Sequence, residues 1–187
     1  LIPDIDLVKE IKAGSHSAME VLVKRYYKQI YAFIYRRTGN KDIAYDLTQE
    51  VFMKMLKSIH TYKEKAQFKS WLYTLAVNHS NDYFRSKAFQ ATQMTDELSD
   101  SHSSNENVPY IFEKKERRRE IIDAIKSLPE FQSTTILLRF YHDFKIKEIA
   151  TIMQTNDSTV KSRLRQGMEK LKSTLQRGDD NEKAKRS

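Results

Sequence analysis

From Asp96 to Asn107 the chain reads Asp-Glu-Leu-Ser-Asp-Ser-His-Ser-Ser-Asn-Glu-Asn, with Leu98 as its one apolar side chain. Such a stretch buries too little apolar surface to offset the entropy of fixing its backbone, so it predicts a flexible linker. It also divides everything else. Apolar residues recur with helical period almost unbroken from Asp4 to about Lys87, lose that period from about Ala88 to Tyr110, and regain it from Phe112 to about Gln176. No run alternates with period two for long enough to form a strand, and no internal repeat is evident. The expected fold class is all-α: two small helical domains, 1–90 and 113–178, joined by a flexible acidic linker, 91–112, and followed by a charged tail, 179–187.

Charge follows the same division. Residues 1–92 carry 15 basic and 9 acidic side chains, residues 93–112 carry 0 and 4, and residues 113–187 carry 18 and 12, which gives +6, −4 and +6 and a net +8. Two basic blocks around an acidic segment suggest two units that each meet a polyanion. Solvated helix faces are the plainer reading of the same numbers. With 39% hydrophobic and 31% charged residues, small helical units with large surfaces fit better than one thick core.

Several chemistries are excluded. The chain has no cysteine, hence no disulfide framework, thiolate zinc site or cysteine nucleophile. Its five histidines, at 16, 60, 79, 102 and 142, lack metal-ligand spacing, and neither a Gly-rich phosphate loop nor His-Glu-x-x-His occurs. No catalytic residue, metal or cofactor is expected, and the chain is not expected to be an enzyme. Apolar runs are too short to span a bilayer and no secretory leader is legible, so a cytoplasmic location is expected.

In the first block, Asp4 or Asp6 can cap a short helix ending at Gly14, and Ser15 or Ser17 a longer one through about Arg37. Its stripe of Met19, Leu22, Val23, Tyr26, Ile30, Phe33 and Ile34 reads as core. The next helix, about Lys41 to Ser58, turns Ile43, Leu47, Val51 and Met55 inward and Asp42, Asp46, Gln49, Glu50 and Met53 outward. Phosphates repel an acidic, amide-bearing face, so it is either an ordinary solvated face or a docking face for a basic protein partner. A third helix, about Phe68 to Arg85, carries Trp71, Thr74, Asn78, Asp82 and Arg85 on one stripe. Ahead of it, Tyr62, Lys63, Lys65, Phe68 and Lys69 interleave rings and ammonium groups. That pattern suits single-stranded nucleic acid, in which bases stack on rings at roughly 1–3 kcal/mol each; Trp71 and Phe68 could equally serve as packing.

In the second block, Glu113 to Lys126 is a highly charged helix ended by Leu128-Pro129, and Thr134 to Tyr141 carries Ile136, Leu137 and Phe140. The segment Lys145 to Arg165 then has helix-turn-helix spacing. Ile146, Ile149, Ala150 and Met153 face inward; Gln154 and Thr155 occupy the turn in place of the usual glycine. Asn156 or Asp157 can cap a second helix with Val160, Leu164, Met168, Leu171 and Leu175 buried. Ser158, Lys161, Ser162 and Arg165 lie outward, where Lys161 and Arg165 can read base edges, arginine best with guanine. Arg163 holds phosphate or a neighbouring helix.

Several segments, in fixed order, resemble a known family: Asp42-Ile43-Ala44-Tyr45-Asp46-Leu47-Thr48-Gln49-Glu50-Val51-Phe52, then Phe68-Lys69-Ser70-Trp71-Leu72-Tyr73-Thr74-Leu75-Ala76-Val77-Asn78, then Ser127-Leu128-Pro129, then Lys147-Glu148-Ile149-Ala150 with Ser158-Thr159-Val160-Lys161-Ser162-Arg163-Leu164. Together they resemble a bacterial sigma-70 factor of the extracytoplasmic-function group, over about residues 7 to 176. Arg165-Gln166-Gly167-Met168 departs from the family's usual run and puts the −35 base preference, not the fold, in question.

The resemblance implies a promoter-binding domain, a linker and a helix-turn-helix domain. By it, Asp46, Gln49, Glu50 and Met53 meet core RNA polymerase. Tyr62, Lys63, Lys65, Phe68, Lys69, Trp71, Asn78 and Arg85 engage the single strand of the −10 element. Ser158, Thr159, Lys161, Ser162, Arg163 and Arg165 enter the −35 groove. The implied partners are core RNA polymerase, promoter DNA and an anti-sigma factor, usually membrane-anchored; no small-molecule substrate is implied. About twenty linker residues, at roughly 3.3 Å each, can reach about 60 Å. The alternative is a stand-alone helix-turn-helix regulator, which leaves the acidic face and the Trp71 segment unexplained.

Overall fold

The computed structural model describes residues 2–63, 67–86 and 109–186, with the side chains of 109–116, 118 and 177–186 outside that description. Lys65 and most of the expected linker lie outside the described residues. What is described is helical, with no strand.

Four helices make the first unit. The first, α1, is Asp4–Lys12, and Ser15 caps α2, His16–Thr38, by accepting the N–H of Ala18. Asp4 joins no cap; it pairs with Arg25 and accepts from Tyr26 Oη, tying α1 to the middle of α2. Gly39, at φ +71°, closes α2 with a left-handed turn. The next residue, Asn40, then accepts the N–H groups of Asp42 at 2.9 Å and Ile43 at 3.1 Å, which starts α3, Lys41–Ser58. A turn of 3-10 helix, Ile59–Thr61, precedes α4, Phe68–Arg85. The core of this unit is the periodic set Leu22, Ile30, Phe33, Ile34, Ala44, Val51, Met55, Leu72, Tyr73 and Ala76.

The second unit starts earlier than its periodicity suggests. Helix α5 spans Pro109–Lys126, because a proline is accepted at the opening of a helix, so 109–112, expected in the linker, are helical. Then come α6, Glu130–Ile136, and a widened π-helical turn, Leu137–Tyr141. The helix-turn-helix follows as α7, Ile146–Ile152, and α8, Asp157–Arg186. Residues 179–186 of the expected charged tail thus continue α8 rather than leave it. Glu148 Oε2 accepts the Lys145 N–H at 2.6 Å and opens α7.

One packing expectation is corrected: Met168, expected inside, is 45% exposed. Gly167 takes the inward place instead: a Cβ there would lie 2.7 Å from Ile136 Cδ1, so the missing side chain sets how closely α8 approaches α6. A methionine one position on is carried out to solvent by the helical turn.

The turn of the motif holds its fold at a cost. Gln154 sits at φ +51°, the left-handed conformation that glycine supplies freely. For a residue with a Cβ this costs roughly 1–2 kcal/mol. Gln154→Gly is therefore expected to stabilise the second unit by about 1 kcal/mol, read as a higher urea midpoint at unchanged slope. A lower midpoint counts against the reading.

Candidate nucleic-acid interface

The α8 N-terminus is built by Asn156, whose Oδ1 accepts the Thr159 N–H at 2.8 Å and the Ser158 hydroxyl at 2.7 Å. Val160 is fully buried and fixes the helix rotation. Ser158, Lys161 and Arg165 consequently point to solvent, and Thr159 and Ser162 are half-buried beside them. Arg165 pairs with Glu169 at 3.3 Å, an exposed pair that holds it weakly. Ser162 accepts from Gln166 Nε2 at 3.2 Å. Arg163 leaves this set. Its guanidinium lies 4.7 Å over the Phe131 ring, which makes it an anchor between α8 and α6.

The expected single-strand site is brought together only in part. Tyr62 and Phe68 are buried at 5% and 3% exposure. With Trp71 they form a cluster whose centroids lie 5.2–5.7 Å apart. Lys12 Nζ donates to the Tyr62 carbonyl at 2.9 Å and secures it from the other side. As placed, neither ring can stack on a base; their apolar area is spent on the core. Trp71 is half-buried, while Lys63, Asn78 and Arg85 are exposed, so the accessible stripe runs along α4. Lys69 is turned away from it, donating to the His142 carbonyl of the second unit at 3.1 Å.

The outward face of α3 is as expected, with Asp46, Gln49, Glu50 and Met53 all exposed. Met53 is 55% exposed, an apolar centre among polar groups. Tyr45, 53% exposed, belongs to the same face; the steps of four from 45 to 49 to 53 are the signal that marks it. Gln49 donates to Tyr27 Oη at 3.2 Å. Glu50 Oε2 and Lys54 Nζ each lie 2.7 Å from a ring nitrogen of His79, so α4 holds this face in register.

The two units also meet, through residues that no motif singled out. Arg37, buried at the end of α2, donates to Asn81 Oδ1 at 2.8 Å and to Glu130 Oε1 of α6 at 3.1 Å. Burial pulls its guanidinium down to about 10, against the attraction of Glu130, and it stays charged at neutral pH. His142 Nδ1 lies 2.7 Å from Tyr73 Oη, with its ring against Phe33. Burial, with Arg36 and Lys69 nearby, lowers His142 to about 4, so it is neutral at pH 7. Burial likewise raises the Tyr73 phenol. Among the described residues, no group of three His, Asp or Glu side chains is placed to hold a metal ion, and no helix is long and apolar enough to cross a membrane.

Two family models match the chain, Sigma-70 region 2 over residues 22–90 and Sigma-70, region 4 over residues 118–171. The first therefore covers most of α2 through α4, and the second the end of α5 through much of α8. The chain is similar to the ECF RNA polymerase sigma factor BldN of Streptomyces coelicolor, at 30% identity over 84% of this chain and 60% of that protein. It is also similar to the ECF RNA polymerase sigma-E factor of Haemophilus influenzae, at 27% identity over 94% of this chain and 96% of that one. Among solved structures, the sigma factor RpoE in complex with the anti-sigma factor NepR from Bartonella quintana matches with a TM-score of 0.65 at 20% identity, over 84% of this chain and 96% of that one. At that identity the likeness speaks to the fold.

Proposed function

The chain belongs to the extracytoplasmic-function group of the sigma-70 family, and on that premise we propose that it binds core RNA polymerase and directs initiation at promoters carrying −35 and −10 elements. The observation that carries this reading is the coexistence of two unlike faces. An exposed basic helix start presents Lys161 and Arg165 on the second unit, and an exposed acidic face presents Asp46, Gln49, Glu50, Met53 and Tyr45 on the first. The first suits a DNA groove, where arginine and lysine meet base edges and the helix dipole favours phosphate. The second is electrostatically wrong for DNA and right for a basic protein. A regulator acting alone has no use for it.

In this reading Ser158, Thr159, Lys161, Ser162 and Arg165 meet the −35 groove. Trp71, Asn78, Lys63 and Arg85 meet the −10 strand, joined by Lys69 once it is free of His142. The chain performs no chemistry of its own; the polymerase supplies it. Its place of work is the cytoplasm, and an anti-sigma factor, membrane-anchored in the form proposed, restrains it until a signal arrives.

The direct test is transcription with purified core polymerase on a randomised promoter library. Selection of a shared two-part element by the reconstituted holoenzyme is the expected result; no initiation at any sequence contradicts it. For the docking face, Gln49→Ala combined with Glu50→Ala is expected to weaken core binding roughly tenfold, about 1.4 kcal/mol, with the helical circular dichroism unchanged. Both side chains are exposed; Glu50 also meets His79, so a parallel urea titration separates a loss of stability from a loss of docking. An unchanged Kd in a core titration removes them from the interface.

A further inference from the structure

We propose that Gln132 and Gln166 are positioning residues for DNA reading: they hold the Ser162 oxygen as an acceptor, so that its proton is offered to the groove and the chain discriminates against cytosine at the base that meets Ser162. This inference rests on the duplex-reading half of the function proposed above and not on its polymerase half.

The device is a relay of amides running from the core of the second unit to its outward face. Gln132 of α6, buried at 9% exposure, donates from Nε2 to Gln166 Oε1 at 3.1 Å. Gln166 in turn donates from its own Nε2 to Ser162 Oγ at 3.2 Å. Gly167 opens the way for it. A Cβ there would lie 2.7 Å from Ile136 Cδ1 and 3.4 Å from Gln132 Cβ, so its absence lets α6 and α8 approach. Gln166 and Gly167 both belong to Arg165-Gln166-Gly167-Met168, the run that departs from the family's usual one.

The buried end sets the direction of the relay. Gln132 Oε1 is buried without a donor. Turning both amides over would instead bury the whole Gln132 NH2 group without an acceptor, and orphaned donors are the rarer of the two in folded proteins.

Ser162 therefore differs from other helix hydroxyls of this chain. Thr48, Thr74, Ser80 and Thr151 each donate to the carbonyl four residues back, at 2.6–3.1 Å. Ser158, one turn before Ser162, donates to Asn156 Oδ1 at 2.7 Å. Those protons are committed within the fold. Among the described residues the Ser162 proton has no acceptor, while one of its lone pairs is taken. Accepting from an amide also polarises the O–H and strengthens it as a donor. In the major groove guanine, adenine and thymine each present an acceptor, and cytosine presents its N4 amino donor alone. Ser162 can donate to any of the first three. Accepting from cytosine would leave its proton without a partner in a closed interface, and that cost sets the discrimination.

The test presents the full chain, with and without core polymerase, with duplexes randomised over the upstream element and counts the bases retained. Wild type is expected to disfavour cytosine roughly fivefold at one position. Ser162→Ala should remove that bias and leave the other positions as they were. Gln166→Glu is the sharper variant. Position 166 is exposed, and a carboxylate there accepts from both Gln132 Nε2 and the Ser162 hydroxyl, which turns the serine lone pairs to the groove. Cytosine should then be retained at least as well as the other bases, in a protein whose urea midpoint matches wild type. Combining Ser162→Ala with Gln166→Glu should erase this gain, whereas a glutamate reading cytosine by itself would keep it. Gln132→Leu, which cuts the relay at its buried end, should weaken the bias without abolishing it. The proposal is overturned if Gln166→Glu leaves the cytosine ratio unchanged, or shifts it equally when Ser162 is absent. A uniform loss over all bases on Ser162→Ala overturns it too, since that marks a phosphate contact. No base preference in either arm removes the duplex reading and this inference with it. If core neither binds the chain nor alters its selection while the ratios hold, the positioning role stands and the polymerase reading falls.

Discussion

Between pH 7 and pH 4 the wild-type chain is expected to lose about 3 kcal/mol more unfolding free energy than a His142→Gln variant. The sign follows from where the proton goes. In the folded chain His142 is held down to about 4 from its ordinary 6.5, chiefly by burial and then by Arg36 of α2 and Lys69 of α4. Its Nδ1 meets the Tyr73 hydroxyl and its ring packs on Phe33 and Tyr73, contacts that bring no negative charge to it. As pH falls below 6.5 the unfolded chain takes up a proton that the folded chain refuses. Stability is thus complete above about pH 6.5, declines through the window down to about 4, and levels off below it. Carboxylates titrate in the same range, which is why the comparison with His142→Gln carries the test: glutamine keeps a hydrogen bond to Tyr73 and has nothing to protonate. Urea unfolding of both proteins at several pH values measures it. Parallel stability curves for the two proteins reject a buried, neutral His142.

Arg165→Ala is expected to cost about 1–3 kcal/mol at a single base pair of the upstream element and little elsewhere. Its guanidinium stands free of the helix core, touching Glu169 at 3.3 Å in an exposed pair that costs little to break. An arginine so placed, one turn after Lys161, can reach guanine O6 and N7 together. Arg163, by contrast, lies over Phe131 and serves the α6–α8 contact, so its loss should lower stability rather than change preference. Holoenzyme binding to a set of single-base variants measures the cost position by position. A uniform loss over all variants, with a shallower dependence on salt, identifies Arg165 as a phosphate contact instead.

How far the sequence could be read depended on what each residue type decides locally. The bounds of α3 and α4 were legible because Gly39 and Asn40 punctuate the chain and because apolar steps of three and four run unbroken between the turns. The outward face of α3 followed from the same steps. The helix-turn-helix was legible from its spacing although its turn lacks glycine, since Gln154 bears the left-handed φ itself. Rings near lysines were not decisive. Tyr62 and Phe68 fit a base-stacking pattern and a core pattern equally well, and the core took them because Trp71 and Lys12 close around them. Met168 was misjudged because one buried glycine, Gly167, rotates the packed side of α8. The contact between the units was invisible to any local rule: Arg37 and Glu130 lie 93 residues apart, and neither carries a motif. Only the packing of one unit on the other reveals why Lys69, a lysine among aromatics, is not simply facing DNA.

The proposed role requires the chain to act through core RNA polymerase and not alone. The decisive measurement is footprinting of a promoter drawn from the randomised library, made with the chain alone, core alone and the two together, followed by a single round of transcription. Protection of two elements and a defined transcript only when both proteins are present is the expected result. Protection by the chain alone that core does not alter, or core that neither binds the chain nor initiates with it, contradicts the account.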